Sequence, residues 1–264
     1  PTRRILEIDY PPLNRVDLYL LHDGQVVSHQ VLGNQLRGSE RPLASRTHAA
    51  PLTLAAGEHE VLLRVQTLSS TVVPITLRTD ASFTGYEARV QLVQGLLFGV
   101  ALCMLMYSLL HWLNLRDIVF GQYALLLLGN MIFVLTYFGI GPQWLWPDWP
   151  LLSTHVAPLG VMLAVAAGAP FMNNTLAVHE VSLLASRVLR AMGTLALLGL
   201  AANLAGLIGY RTTQTMVTVL GLVVPLVVVP VATVRARRGE RVALVILAGW
   251  LVYFLGALGM AGLL

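Results

Sequence analysis

From Val90 onward, long apolar runs alternate with short polar breaks, and the middles of those runs carry no ionisable side chain. That pattern leaves few folds open. A run of about 20 mostly apolar residues is what a helix needs to cross a bilayer. Six segments meet the requirement: 90–113, 119–140, 151–172, 187–209, 213–234 and 242–264. The charge content agrees. Soluble domains are about one quarter charged, whereas this chain is 11% charged and 56% hydrophobic. A boundary falls near Arg89, dividing a globular segment, 1–88, from a membrane bundle, 89–264.

The breaks are short, so neighbouring helices run antiparallel. Arg116 and Asp117 follow the first span, Arg187 and Arg190 the third, and Arg235, Arg237, Arg238 and Arg241 the fifth. The short loops of the opposite side hold only Arg211. The excess of arginine on one side marks it as cytoplasmic, which places the N-terminal segment outside. The net charge of +4 thus reads as a topology signal and contact with anionic lipid, with no nucleic-acid partner implied. Six spans return the chain to the outside at Leu264, so a cytoplasmic output requires a seventh helix beyond it. The opening Pro1-Thr2-Arg3-Arg4 contains neither a methionine nor a signal peptide. It is expected to begin inside a longer parent chain.

The break Gly141-Pro142-Gln143-Trp144-Leu145-Trp146-Pro147-Asp148-Trp149-Pro150 brings three tryptophans to the outer side, as an interfacial belt does. Intramembrane charges mark ion paths and proton relays. Their absence here, with no lysine for a retinal Schiff base, weighs against a pump, a rhodopsin or a charge-coupled transporter. Asn130 and Asn203 are mid-span amides suited to hydrogen bonds between helices. Pro158, Pro170, Pro225 and Pro230 are expected to kink or interrupt their helices. Gly95 and Gly99 have the spacing of a close helix contact, within the bundle first and in a dimer second. Gly256, Gly259 and Gly262 form another small-residue face.

The first 88 residues alternate apolar and polar side chains, as half-buried strands do. Arg4–Tyr10, Val16–Leu20, Gln25–Val27, Glu60–Gln66 and Val72–Leu77 read as strands, with turns at Asp23-Gly24 and Ala56-Gly57-Glu58. The spacing predicts an all-β sandwich. Its length is short for two complete sheets, so the first strands are expected upstream. The single cysteine, Cys103, lies in a span and cannot form an intrachain disulfide.

These residues resemble a known family: the bacterial seven-transmembrane receptors with diverse intracellular signalling modules (7TMR-DISM), of the kind bearing the second, jelly-roll-like type of extracellular domain. In the outer half the likeness rests on Ile5-Leu6-Glu7-Ile8, Pro11 through Leu20, Arg41-Pro42, Arg46, Pro51-Leu52-Thr53-Leu54, Leu63-Arg64-Val65-Gln66 and Pro74-Ile75-Thr76-Leu77. In the membrane half it rests on Gly95, Gly99, Met106-Tyr107-Ser108, Asn114-Leu115-Arg116-Asp117, Tyr123 and Gly139 through Trp146-Pro147. Ser108 stands where the family pattern has asparagine. The resemblance implies a bacterial inner-membrane receptor, periplasmic at its N-terminus. It would control a cytoplasmic module, a diguanylate cyclase first and a histidine kinase as alternative, either of which acts as a homodimer. The outer domain resembles carbohydrate-binding jelly rolls, which implies a small carbohydrate or related ligand. A membrane binding protein without enzymatic output is the competing reading.

The residues themselves show no active site. Gly33 to Gly38 has P-loop glycine spacing without the following Lys-Ser/Thr. His179-Glu180 lacks a second histidine at metalloprotease spacing, and His22, His29, His48 and His59 are scattered, so neither a metal nor a cofactor is expected. For ligand binding, Asp17, Tyr19, Arg46 and Arg64 are the candidates, since arginine and tyrosine suit polar, sugar-like solutes. At the inner face Arg116 and Asp117 are expected to pair across their turn.

Overall fold

The computed structural model describes the backbone of residues 2–262 and the side chains of residues 2–256. Six strands come first: β1 (Thr2–Ile8), β2 (Arg15–His22), β3 (Gln25–Leu32), β4 (His48–Leu54), β5 (His59–Gln66) and β6 (Ile75–Arg78). They form two antiparallel three-stranded sheets, ordered β4-β1-β6 and β3-β2-β5. Period-two alternation decides which side chains meet between them. Leu6 and Ile8 of β1, Val16, Leu18 and Leu20 of β2, and Ala50 and Leu52 of β4 form one buried core with Leu13 and Leu32. The β2–β3 turn carries Asp23 at φ 51° and Gly24 at φ 76°. This positive-φ pair matches the twist of the strands it joins.

Three strands depart most from the sequence expectation, and β4 is a strand that the alternation does not mark at all. β3 continues to Leu32, past Ser28-His29-Gln30, whose polar character hides the strand. β6 begins only at Ile75 because Pro74 has no N–H for the ladder. Pro74 instead offers its carbonyl to the amide of Asp9 at 3.3 Å. β4 holds Pro51, which is tolerated because β4 is an edge strand.

Six helices follow: α1 (Asp80–Leu115), α2 (Ile118–Tyr137), α3 (Pro150–Thr175), α4 (Leu183–Leu204), α5 (Tyr210–Arg237) and α6 (Arg241–Gly262). The first five are long and apolar enough to cross a membrane. α6 is helical over 22 residues and apolar through its described part, Arg241–Gly256. α1 begins at Asp80, ten positions before the apolar run that opens at Val90. Hydropathy registers where the bilayer starts, but the helix starts earlier, where the Thr79 hydroxyl accepts the Ser82 amide at 3.2 Å. Its 36 residues reach about 54 Å, well beyond the ~30 Å apolar layer. α3 and α5 run unbroken through Pro158, Pro170, Pro225 and Pro230, so the prolines do not interrupt them.

Two compact units make up the chain: Pro1–Leu102 with Met131–Gly160, and Cys103–Asn130 with Val161–Leu264. The second has its own core, in which Val165, Ala169, Leu189, Met192 and Ala196 meet Leu220, Val228, Val231 and Ala232.

Candidate functional site

The β3-β2-β5 sheet turns Val16, Leu18 and Leu20 inward, which leaves Asp17, Tyr19 and Leu21 on its outer face. The register sets Asp17 between Val31 and Arg64, and Tyr19 between His29 and Leu62. Three of the four ligand candidates therefore share one face. Tyr19 stacks on His29 with ring centroids 4.4 Å apart and planes 10° from parallel. Asp17 is buried and already engaged: Arg15 donates to it at 2.9 and 3.2 Å, and His29 lies 3.4 Å away. The Arg15 hydrogen bond leads in holding its carboxyl below the usual range, ahead of an opposing push from burial. Asp17 thus orients Arg15 and His29, while Arg64 and His29 stand exposed and Tyr19 half-buried. Toward the hairpin, the same sheet ends in an open cavity of about 310 Å³ lined by Leu21, Asp23, Gly24, Glu58 and Glu60. Among the described residues, no three His, Cys, Asp or Glu side chains come together as a metal set.

Arg46, the fourth candidate, is elsewhere and does something else. Its side chain is 2% exposed. Its fork takes Asp9 through two hydrogen bonds, 2.8 and 3.1 Å, and Nε sits 3.0 Å from Glu87 of α1. Burial alone would lower the guanidinium pKa, but the Asp9 hydrogen bond and the two carboxylate charges raise it. A guanidinium buried to this degree and held by two carboxylates is out of reach of a solute on the sheet's outer face.

What it builds instead is a polar joint. The outward side of β1 carries Ile5 and Glu7, which the first turns of α1 cover. Phe83 packs on Ile5 and Ala49, and Glu87, four residues on, lies on the same helical face. Ser45 donates to Glu87 at 3.3 Å, and Thr47 to Glu7 at 3.2 Å. Arg78 donates to the fully buried Glu7 at 2.7 Å and caps the Tyr86 ring at 4.1 Å. The Tyr86 hydroxyl donates to Asp9 at 3.0 Å. Gln91 reaches the Gln143 side chain at 3.3 Å in the turn between α2 and α3. Pro147 of the same turn accepts the amide of Gly38, from the segment between β3 and β4, at 2.8 Å. Trp144 and Trp149 are 66% and 68% exposed, as interfacial anchors are. The joint escaped sequence reasoning because its members are far apart in the chain, although Thr79 and the Phe83–Glu87 spacing signal it.

The remaining candidates divide. Asn203 donates to Thr213 of α5 at 2.6 Å, a bond between helices. Asn130 is exposed and donates to the Leu126 carbonyl of its own helix at 2.9 Å. Among the described residues, nothing lies within 4 Å of a Cβ added at Gly95 or Gly99, which leaves that face of α1 open. Gly256 is equally open; Gly259 and Gly262 lie outside the residues whose side chains are described. Asp117 does not pair with Arg116, because its carboxylate accepts the Val119 amide at 2.9 Å at the start of α2. Arg235 bridges Glu240 at 2.6 Å and Glu180 at 3.1 Å and donates to the Ala177 carbonyl. Arg237, Arg238 and Arg241 are exposed.

A family model described as 7TM diverse intracellular signalling matches residues 90–264. A second, described as 7TMR-DISM extracellular 2, matches residues 1–79. No curated protein and no solved structure matches the chain.

Proposed function

Because the chain belongs to the 7TM diverse intracellular signalling family and carries that family's extracellular domain at its N-terminus, we propose that it senses a small polar, carbohydrate-like solute in the periplasm and passes the result to a cytoplasmic diguanylate cyclase. The solute meets the outer face of the β3-β2-β5 sheet at Tyr19, His29 and Arg64. The observation that carries the reading is the joint: Arg46 holds Asp9 of the sensor segment and Glu87 of α1 in one buried ion cluster. A ligand shifts an equilibrium only by binding one state better than another. The joint gives such a difference a route, since any shift of β1 or β4 must move the first turns of α1 or break buried charge pairs. The active unit is a homodimer, with the open Gly95 and Gly99 face of α1 available to a second copy, and Arg237, Arg238 and Arg241 meet anionic lipid.

The test is cyclic di-GMP formation by the parent protein in membranes, with and without a panel of sugars. A response lost in Y19A and R64A, and frozen at one level in R46M, supports the proposal. Phosphoryl transfer in place of cyclic di-GMP replaces the output with a histidine kinase. Output indifferent to every change in the outer domain overturns the receptor mechanism.

A further inference from the structure

Arg41 and Arg46 are five residues apart, half-buried and buried respectively, yet their surroundings are opposite. Arg46 has two carboxylates. Among the described residues, no carboxylate forms an ion pair with Arg41, and its buried Nε has no hydrogen-bond partner. A desolvated charge without a counter-charge is costly, and buried polar atoms are nearly always satisfied, so one left over asks for an explanation. Arg41 also lines a small cavity, about 10 Å³, with Gly33, Leu43, Thr47 and His48. That is room for about one oxygen atom or water.

The other polar groups around it are spoken for. The Thr47 hydroxyl donates to Glu7. The His48 Nε2 lies 3.2 Å from the Pro11 carbonyl, and burial first, then the Arg41 charge, bring the ring's pKa down to about 4, so it adds no second positive charge at neutral pH. One wall is rigid: a Cβ at Gly33 would stand 2.1 Å from the Asn14 carbonyl oxygen, so that backbone approach is fixed. What remains is the Arg41 guanidinium, its Nε without a partner among the described residues, lining a recess of about one atom's size.

We propose that Arg41 binds a carboxylate at this recess, with one oxygen entering the cavity and Nε and an Nη of the guanidinium taking the group side-on. Guanidinium matches carboxylate two bonds to two oxygens, and the recess is too small to admit more of the ligand, so the rest of the molecule stays outside. The class is a small organic acid or the acid group of a sugar. As a binding site it stands alone; as the stimulus of a receptor it rests on the function proposed above.

The experiment is hydrogen exchange on the whole protein in nanodiscs with acetate, glucuronate or glucose added. Saturable protection of Gly33 and the His48–Ala49 amides by a carboxylate, about tenfold at ten times the half-saturating concentration, supports the site. Protection by glucuronate well above acetate identifies a sugar acid; equal protection identifies the bare carboxylate. R41Q must abolish the effect while the strands retain their exchange protection, and R41K must weaken it, since lysine keeps the charge and loses the fork. Protection by glucose equal to that by glucuronate, an undiminished effect in R41Q, or no protection by either acid overturns the proposal. If a carboxylate binds but leaves the parent's output unchanged, the site stands and its role as stimulus falls. If none binds, the receptor reading is untouched.

Discussion

Arg46 and Asp9, 37 positions apart in sequence, meet fork to fork, with Nη1 2.8 Å from Oδ1 and Nη2 3.1 Å from Oδ2. The pair sits at the end of β1, where the sheet passes its load to α1 through Glu87. Removing the guanidinium takes from Asp9 and Glu87 the positive charge they share. Arg46→Met should therefore cost about 3–5 kcal/mol, measured by denaturation of the intact protein in detergent. Arg46→Lys should recover part of the loss, because the charge returns without its two-pronged geometry. A methionine variant as stable as the parent would show that the cluster contributes nothing net.

Glu87→Gln keeps groups that can bond Ser45 and Gln91 but removes the charge opposite Arg46. The expected cost is smaller, about 1–3 kcal/mol, and local. Amide exchange should quicken in the first turns of α1 while β2, β3 and β5 hold their protection. Equal loosening of both sheets would count against a joint confined to this end.

His48 sets a pH dependence. Its pKa in the folded protein is about 4, against 6.5 when unfolded, because burial and then the neighbouring Arg41 disfavour the imidazolium. Between those values the unfolded chain binds the extra proton, so the stability His48 contributes is whole above pH 6.5 and falls as pH drops to 4. The full swing is about 3 kcal/mol. Exchange of the β4 amides across that range should follow it, and His48→Gln should flatten the curve.

Gly139 holds φ 78°, and a Cβ there would lie 2.1 Å from the Arg46 carbonyl oxygen. Gly139→Ala should cost about 2 kcal/mol or more from the clash and the left-handed backbone together. It should also loosen the turn before α3, read as faster proteolysis between Gly141 and Pro150.

The two intramembrane asparagines should behave differently. Asn203→Leu breaks a bond between α4 and α5 and should cost about 0.6–2 kcal/mol. Asn130→Leu only frees a carbonyl of its own helix and should be nearly neutral. Thermal unfolding in one detergent compares them directly, and equal losses would contradict the assignment.

The membrane helices were legible because a bilayer imposes a length and a polarity on any helix that crosses it. The sheets were legible wherever apolar alternation was clean, as in β1, β2 and β5. They were obscured where Ser28-His29-Gln30 blunt the pattern of β3 and where Pro51 interrupts β4. The ligand candidates show the sharper limit. Asp17, Tyr19 and Arg64 share a face because register follows from strand pairing, which the sequence suggests. Chemical type alone makes Arg46 a ligand candidate, and type does not reveal whether two carboxylates from distant segments will close on it. The same limit applies to Arg41, which has no such partner among the described residues.

Only Thr79 separates the last residue of β6 from the first of α1. A helix turns about 100° per residue, so this joint is geared: the sheet's orientation fixes the angular phase of everything on α1 within the outer unit. Transplanting this domain onto another receptor is therefore a problem of phase before it is one of compatibility. Splices that add or remove about seven residues, two near-complete turns, should preserve coupling. Splices off by one or two should leave a folded, ligand-competent protein whose first helix presents the wrong side.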